Sequence, residues 1–333
     1  MRNFLIVAAL LALPLASVAQ TDTPAVAPPP ECGDALAKPF DGGLDPRIQP
    51  DCDSTAFYFG IGRAKDPVAA RSCALIERIQ HVDKDGSLFT GPGVLSVVYA
   101  NGEGVPRDLD VARRFVCENK QASEAEILAR LKVIDKIAAN PQSPPKFDLC
   151  TTATTGQTYG WCAAVLLRVH DARRYDNLVA YVDKLTPAGQ EAFKGLQTAE
   201  GAFETARLKN EVDQSGLTGW ARQLQEEDKI RGQFVSDFTL FAKPDYAQPT
   251  TAATVDALVV KNYDILAGPK GESTLRGTTI TPAGVQETQA AWIKYRDEWR
   301  AFEAVVNPQL SGDAVVTQIE RERLFHLRRL IEP

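Results

Sequence analysis

The chain has 333 residues, 24% of them charged, and its 37 Lys and Arg against 43 Asp and Glu give a net charge of −6. That balance argues against nucleic acid and against an anionic membrane surface as the main partner. The length is enough for several small domains with cores of their own.

Residues 1–19 read as a signal peptide, with Arg2, an apolar core from Phe4 to Ala16, and the small residues Ser17 and Ala19 flanking Val18. Cleavage is expected after Ala19 and leaves the chain one unit more negative. The apolar run is short for a transmembrane span, and no Cys follows the cleavage site to carry a lipid, so no membrane anchor is expected. Residues 20–50 form a Pro-rich N-terminal segment.

All 6 cysteines, Cys32, Cys52, Cys73, Cys117, Cys150 and Cys162, lie beyond the leader. An even number in an exported chain reads as disulfides, and the CxxC or Cys/His clusters of a metal site are absent. Cys150 and Cys162 are close neighbours far from the rest and are expected to pair. Cys52 and Cys73 lie about equally far from the corner Gly60–Gly62, so antiparallel helices could bring them together. Cys32 with Cys52 and Cys73 with Cys117 is the other arrangement.

Residues 51–139 contain a duplicated unit. "GIGRAKDPVAAR" (Gly60 to Arg71) aligns at constant offset with "GEGVPRDLDVAR" (Gly102 to Arg113), matching Gly60 to Gly102, Gly62 to Gly104, Asp66 to Asp108, Ala70 to Ala112 and Arg71 to Arg113. The glycines permit positive φ where one helix ends, and Asp66 and Asp108 are placed to cap the next. An aromatic, then G-x-G, then Asp, then an Ala-bearing helix resembles the Sel-type repeat, whose antiparallel helix pairs stack and present a face to partners. The insert His81 to Gly93 contains "DKDGS", but counted from Asp83 its Gly is fourth and Val94 is twelfth, so a calcium loop is rejected.

After the break Asn140 to Lys146, residues 147–240 and 253–333 repeat one order of segments. Each has a long helix opening with Thr-Pro-Ala-Gly, Thr186 or Thr281 serving as N-cap, then a Ser-Gly corner (Ser215-Gly216, Ser311-Gly312) and a second charged helix. Val285, Thr288, Trp292, Tyr295, Trp299, Phe302 and Val306 form a helical stripe expected to be core. Arg323 sits among Val316, Ile319, Leu327 and Leu330 on one helix face and needs a carboxylate, with Asp297, Glu298 and Glu303 as candidates. Arg231 is its counterpart in the first copy.

These segments resemble the LprI-type lysozyme-inhibitor domain, a small all-helical module of bacterial envelopes. Its pattern has two cysteines bracketing a Thr-containing turn, as Cys150 and Cys162 do. An Asn and an aromatic follow (Asn177 and Tyr181, or Asn262 and Tyr263), then Gln-x-x-Trp-x-x-x-Arg-Asp, matched by Gln289, Trp292, Arg296 and Asp297. The first copy departs from it with Glu200, Phe203, Arg207 and Leu208. The second lacks the cysteine pair, and Glu211 and Arg300 stand where a cysteine is expected. The resemblance implies a protein that binds a lysozyme-like muramidase.

No catalytic constellation emerges. The 3 histidines are His81, His170 and His326; His170-Asp171 has no G-x-S-x-G turn to complete a triad, and no HExxH helix exists. The pairs Glu226/Glu227 and Glu320/Glu322 are expected on solvated helix faces. The sequence therefore predicts an all-α binding protein, with antiparallel helix-pair repeats followed by two small helical-bundle modules and with no enzyme activity, cofactor or metal. Ser215, Gly216, Ser311 and Gly312 are the candidate partner contacts. The alternative is an envelope scaffold acting through the helical repeats.

Overall fold

The computed structural model describes residues 28–40, 42–80, 87–243, 246 and 251–332. The leader 1–19 and His81 lie outside them. Among the described residues there are 13 α-helices and no strand, so the fold is all-α. None of these helices is long and apolar enough to cross a membrane.

The first part comprises α1 (Gly33–Ala37), α2 (Ser54–Phe59), α3 (Pro67–Gln80), α4 (Pro92–Asn101), α5 (Leu109–Glu118) and α6 (Glu124–Ala139). The helix pairs α2/α3 and α4/α5 turn through corners built bond for bond alike. Gly60 N–H donates to Ala56 O at 2.9 Å and Gly102 N–H to Val98 O at 3.0 Å, while Asp66 N–H reaches Phe57 O at 2.9 Å and Asp108 N–H reaches Tyr99 O at 3.1 Å. The Asp66 and Asp108 carboxylates then cap Ala69 N–H and Val111 N–H, each at 3.0 Å. Gly62 and Gly104 hold φ of 65° and 73°. A Cβ on Gly62 would meet open space, but on Gly104 it would lie 2.7 Å from the backbone at Pro67 and Val68, because the second corner rests on the start of α3.

Disulfides staple this part. Cys32 pairs with Cys117, tying the N-terminal segment to α5; Cys52 pairs with Cys73 across α2 and α3; and Cys150 pairs with Cys162. In the chain-entropy model the bridge that closes 85 residues contributes about 4–5 kcal/mol and the shorter two about 3 kcal/mol each. Three bridges fit an exported chain in an oxidising compartment.

The remaining helices are α7 (Gly156–Val182), α8 (Pro187–Asn210), α9 (Gly219–Phe241), α10 (Ala252–Ala267), the single turn α11 (Gly271–Thr274), α12 (Pro282–Val306) and α13 (Gly312–Ile331). Thr186 and Thr281 cap α8 and α12 identically, accepting from Gly189 N–H at 3.2 Å and Gly284 N–H at 3.1 Å. These two equivalent helices lie against each other in opposite directions, Gly189 beside Val306 and Gly284 beside Asn210. Around them α7 packs on α9 and α10 packs on α13.

Buried side chains fall into two clusters. One gathers α1 to α6 and ends with Cys162 and Val165 of α7. The other is shared by the segments read as successive modules and centres on Trp292, Trp299 and Phe302 of α12, with Phe234, Phe238 and Phe241 of α9. The expected stripe is thus core, Trp299 and Phe302 being fully buried. The first cluster does not stop at the Asn140–Lys146 break, because Phe147 and Leu149 belong to it. The Asn101 side chain holds both backbone groups of Phe147, at 2.8 and 2.9 Å. Glu126 of α6 then fixes the start of α7, accepting from Thr154 N–H, Thr155 N–H and Thr158 Oγ1 at 2.8–3.0 Å.

The corner geometry makes a graded prediction. Gly62→Ala should cost about 1 kcal/mol for the left-handed backbone alone. Gly104→Ala should cost at least roughly twice that, since the contact it makes is with backbone. Thermal midpoints of the two variants check the order; equal shifts would show that the second corner is not seated on α3.

Candidate functional site

The buried charges concentrate where the two duplicated segments meet. Arg323 of α13 forks onto Glu211, just past α8, with contacts of 2.6 and 2.7 Å, and its Nε donates to Gln289 Oε1 of α12 at 3.0 Å. Both members of the pair are wholly inaccessible. The expectation that Asp297, Glu298 or Glu303 would serve Arg323 is therefore corrected. The face of α13 carrying Arg323 turns toward the end of α8, so the carboxylate comes from the other copy.

His326 completes the cluster. Its Nε2 lies 2.9 Å from Glu211 and its Nδ1 lies 3.0 Å from Arg207 Nη2, which in turn bonds Glu226 of α9. Burial and the Arg207 charge push His326 down to about 4, so it is neutral at physiological pH. Burial opposes ionisation of Glu211 and Glu226, but the charges of Arg323 and Arg207 respectively outweigh it and hold each carboxyl down to about 2.

Three other sequence-level residues gather one turn away. Trp292 is buried, Arg296 lies over its ring at 5.2 Å, and Arg296 reaches Asp297 at 2.9 Å and Glu320 at 3.2 Å. Gln289, Trp292, Arg296, Asp297 and Arg323 are thus brought onto the α12–α13 face, where they hold helices together. Arg231 is not a true counterpart of Arg323. It forks onto Glu204 at 2.9 and 3.0 Å and meets Asp171 at 2.5 Å while staying partly exposed.

Solvated faces were expected for Glu226/Glu227 and Glu320/Glu322, and this too is corrected. Glu226 and Glu320 are buried, because α9 and α13 turn those positions inward. Elsewhere burial outweighs any nearby arginine and raises carboxyls above their usual range. It raises Glu200 to about 8, with Glu204 adding to the shift, and raises Asp237, Glu303 and Glu320 to about 7. Glu322, facing Asp237, is raised as well. His170 faces Asp228 at 3.0 Å rather than its neighbour Asp171. Among the described residues no group of three or more His, Cys, Asp or Glu is placed to hold a metal ion.

The two Ser-Gly corners differ in structure and lie apart. Gly216 holds φ of 68°, as a tight corner requires, whereas Ser311 is the extended residue before α13 and Gly312 is that helix's first residue. Because α8 and α12 are antiparallel, the corners sit at opposite ends of a helix pair roughly 36 Å long. Asp213 fixes the first corner, accepting from Ser215 N–H and Thr279 N–H at 3.0 Å and from Ser215 Oγ at 2.8 Å. Directly beyond it Leu217 is 86% exposed, and Trp220, in the first turn of α9, is 41% exposed with its ring edge-on to Trp161 at 5.0 Å. Trp220 lies on α7 at Gly160, where a Cβ would come within 1.9 Å of the indole. Sequence reading missed Leu217 and Trp220; the signal was two large apolar residues between a Ser-Gly corner and the polar start of the next helix.

Two predictions follow from the charges. Arg323→Ala should cost about 3–5 kcal/mol by stranding the Glu211 charge, and Arg323→Met with Glu211→Leu should recover much of it; denaturant titrations of the three proteins test this. Stability should also rise as pH falls from 8 toward 5.5. The folded state keeps protons on Glu200, Asp237, Glu303 and Glu320 that the unfolded chain releases, whereas only His326 opposes the trend, below its ordinary value of 6.5. Below the usual carboxylate range the gain reverses, because unfolded Glu takes protons that Glu211 and Glu226 refuse. A thermal midpoint flat between pH 8 and 5.5 would show the four carboxyls to be solvated.

No family model, curated protein or solved structure matches the chain.

Proposed function

We propose that the protein is an exported binding protein whose partner is a basic, lysozyme-like muramidase, with the leader removed near Ala19 and the mature chain periplasmic or secreted. The observation that carries this reading is the corner Ser215-Gly216. Asp213 braces this loop, Leu217 just beyond it stands out to solvent, and Trp220 in the first turn of α9 shows one exposed edge while packing on α7. Apolar surface on an immobilised corner loses little entropy on docking and suits an interface centre. The negative net charge favours encounter with a basic protein, and the residue pattern shared with LprI-type domains names the partner class. Ser311 and Gly312, at the other end of the bundle, are left out of this face.

A scaffold role for the helix pairs is the second reading. It is favoured by a cleft of about 330 Å³ between them and α7, lined by Asp53, Thr55, Thr90, Trp161 and Arg168.

Calorimetry with a purified muramidase, together with its turnover on cell walls, tests the first reading. Trp220→Ala should weaken binding about tenfold or more, Ser311→Ala should leave it unchanged, and affinity should fall as salt is raised. Absence of both binding and inhibition at low salt would remove the muramidase reading and leave the scaffold in its place.

A further inference from the structure

A cleft of about 550 Å³ opens beside the last turns of α12, at the end of the bundle away from the Ser215-Gly216 corner. Its lining is mixed: Ala301 and Ala304 from α12 and Pro308 and Leu310 from the loop that follows are apolar, while Asp297 and Arg300 of α12 border it with charge. Glu303 lines it. This residue is only 3% exposed, and its carboxylate has no hydrogen-bond or ion-pair partner among the described residues, its oxygens keeping slight contact with solvent. Every other buried carboxylate discussed above has a named cation, amide or neighbouring carboxyl. The nearest guanidinium on the same helix, Arg300, is turned away to Asp313 at 3.1 Å, and Asp297 is held by Arg296 at 2.9 Å.

A buried carboxylate without a partner is costly, and a cation delivered through the cleft would remove that cost. A small metal ion needs several oxygen ligands, and among the described residues no such group is placed here, whereas the apolar part of the lining suits a methylene stem that carries its charge at the tip. We infer that this cleft is a binding site for a primary ammonium on a slim aliphatic stem, with Glu303 as the counter-ion and the Ala301–Ala304 wall covering the stem. The chemistry is common to a free alkyl diamine and to a lysine side chain. The site lies far from the corner assigned to the muramidase and does not depend on that assignment.

Titration supports the geometry. Burial raises Glu303 to about 7. The titratable and charged groups around it are Tyr181 of α7, itself pushed up to about 12 by burial and by Glu303, then Asp297 and Arg300 of α12 and, through Arg300, Asp313 of α13. An arriving ammonium favours the ionised carboxylate, so binding near neutral pH should release protons, and affinity should fall as Glu303 protonates.

The probe is 1,5-diaminopentane, titrated calorimetrically into the full mature protein at pH 8 and pH 5.5, with a lysine-containing acetylated tripeptide as the second arm. Binding is expected at pH 8, roughly tenfold or more weaker at pH 5.5, and with an enthalpy near neutrality that depends on the buffer. Glu303→Gln, near-isosteric and expected to keep or raise the thermal midpoint, should abolish it. Ala304→Leu, at an exposed position, should block the cleft while leaving the carboxylate in place. Tighter binding of the diamine identifies a free amine as the ligand, and tighter binding of the tripeptide identifies a side chain. No binding of either probe at pH 8, or equal affinity in Glu303→Gln, overturns the inference.

Discussion

The Glu211–Arg323 fork is the contact on which the second half of the molecule depends. Moving two charges out of water costs several kcal/mol per ion, and attraction returns it only if every remaining donor and acceptor is met. Here Arg323 spends two nitrogens on Glu211 and its Nε on Gln289, so α8, α12 and α13 converge on one guanidinium. Such a pair adds little net stability but tolerates almost no displacement. It therefore sets how far α13 slides along the rest of the bundle and binds the two duplicated segments into one unit.

The neutral His326 follows from that constraint. With Arg207 on one side and Arg323 on the other, a third cation in the same dry space would be repelled, so the imidazole loses its proton and fills the gap as a dipole. Farther from the joint, burial outweighs whatever cation is near, and Glu200, Asp237 and Glu322 are all shifted upward.

What was legible in the sequence is what is local in the fold. Thr186 and Thr281 announce helix starts because a cap is made within one turn, and Gly60, Gly62, Gly102 and Gly104 announce corners because φ belongs to a single residue. The pairing of Cys150 with Cys162 was legible because the two are close in the chain. The stripe from Val285 to Val306 was legible from its period, although period alone does not say which helix it meets. Glu211 was not legible as the partner of Arg323, because the two are separated by 112 positions and the carboxylate belongs to the other copy. The inward turn of Glu226 and Glu320 was hidden for the same reason: a charged residue on a helix is assigned to solvent until a neighbouring helix supplies its cation.

The antiparallel packing of α8 and α12 also explains why the two ends of the bundle offer different surfaces. Packing equivalent helices α8 and α12 in opposite directions sends the loop after each to opposite ends, so the copies cannot combine their corners into one site. The last helix buries Arg323 and locks the fold, whereas Arg231 of α9 stays partly exposed, in the same helix whose first turn carries Trp220. At the far end the loop into α13 leaves an opening where Arg300 lies against Gly312. That opening is the cleft in which Glu303 is left without a partner.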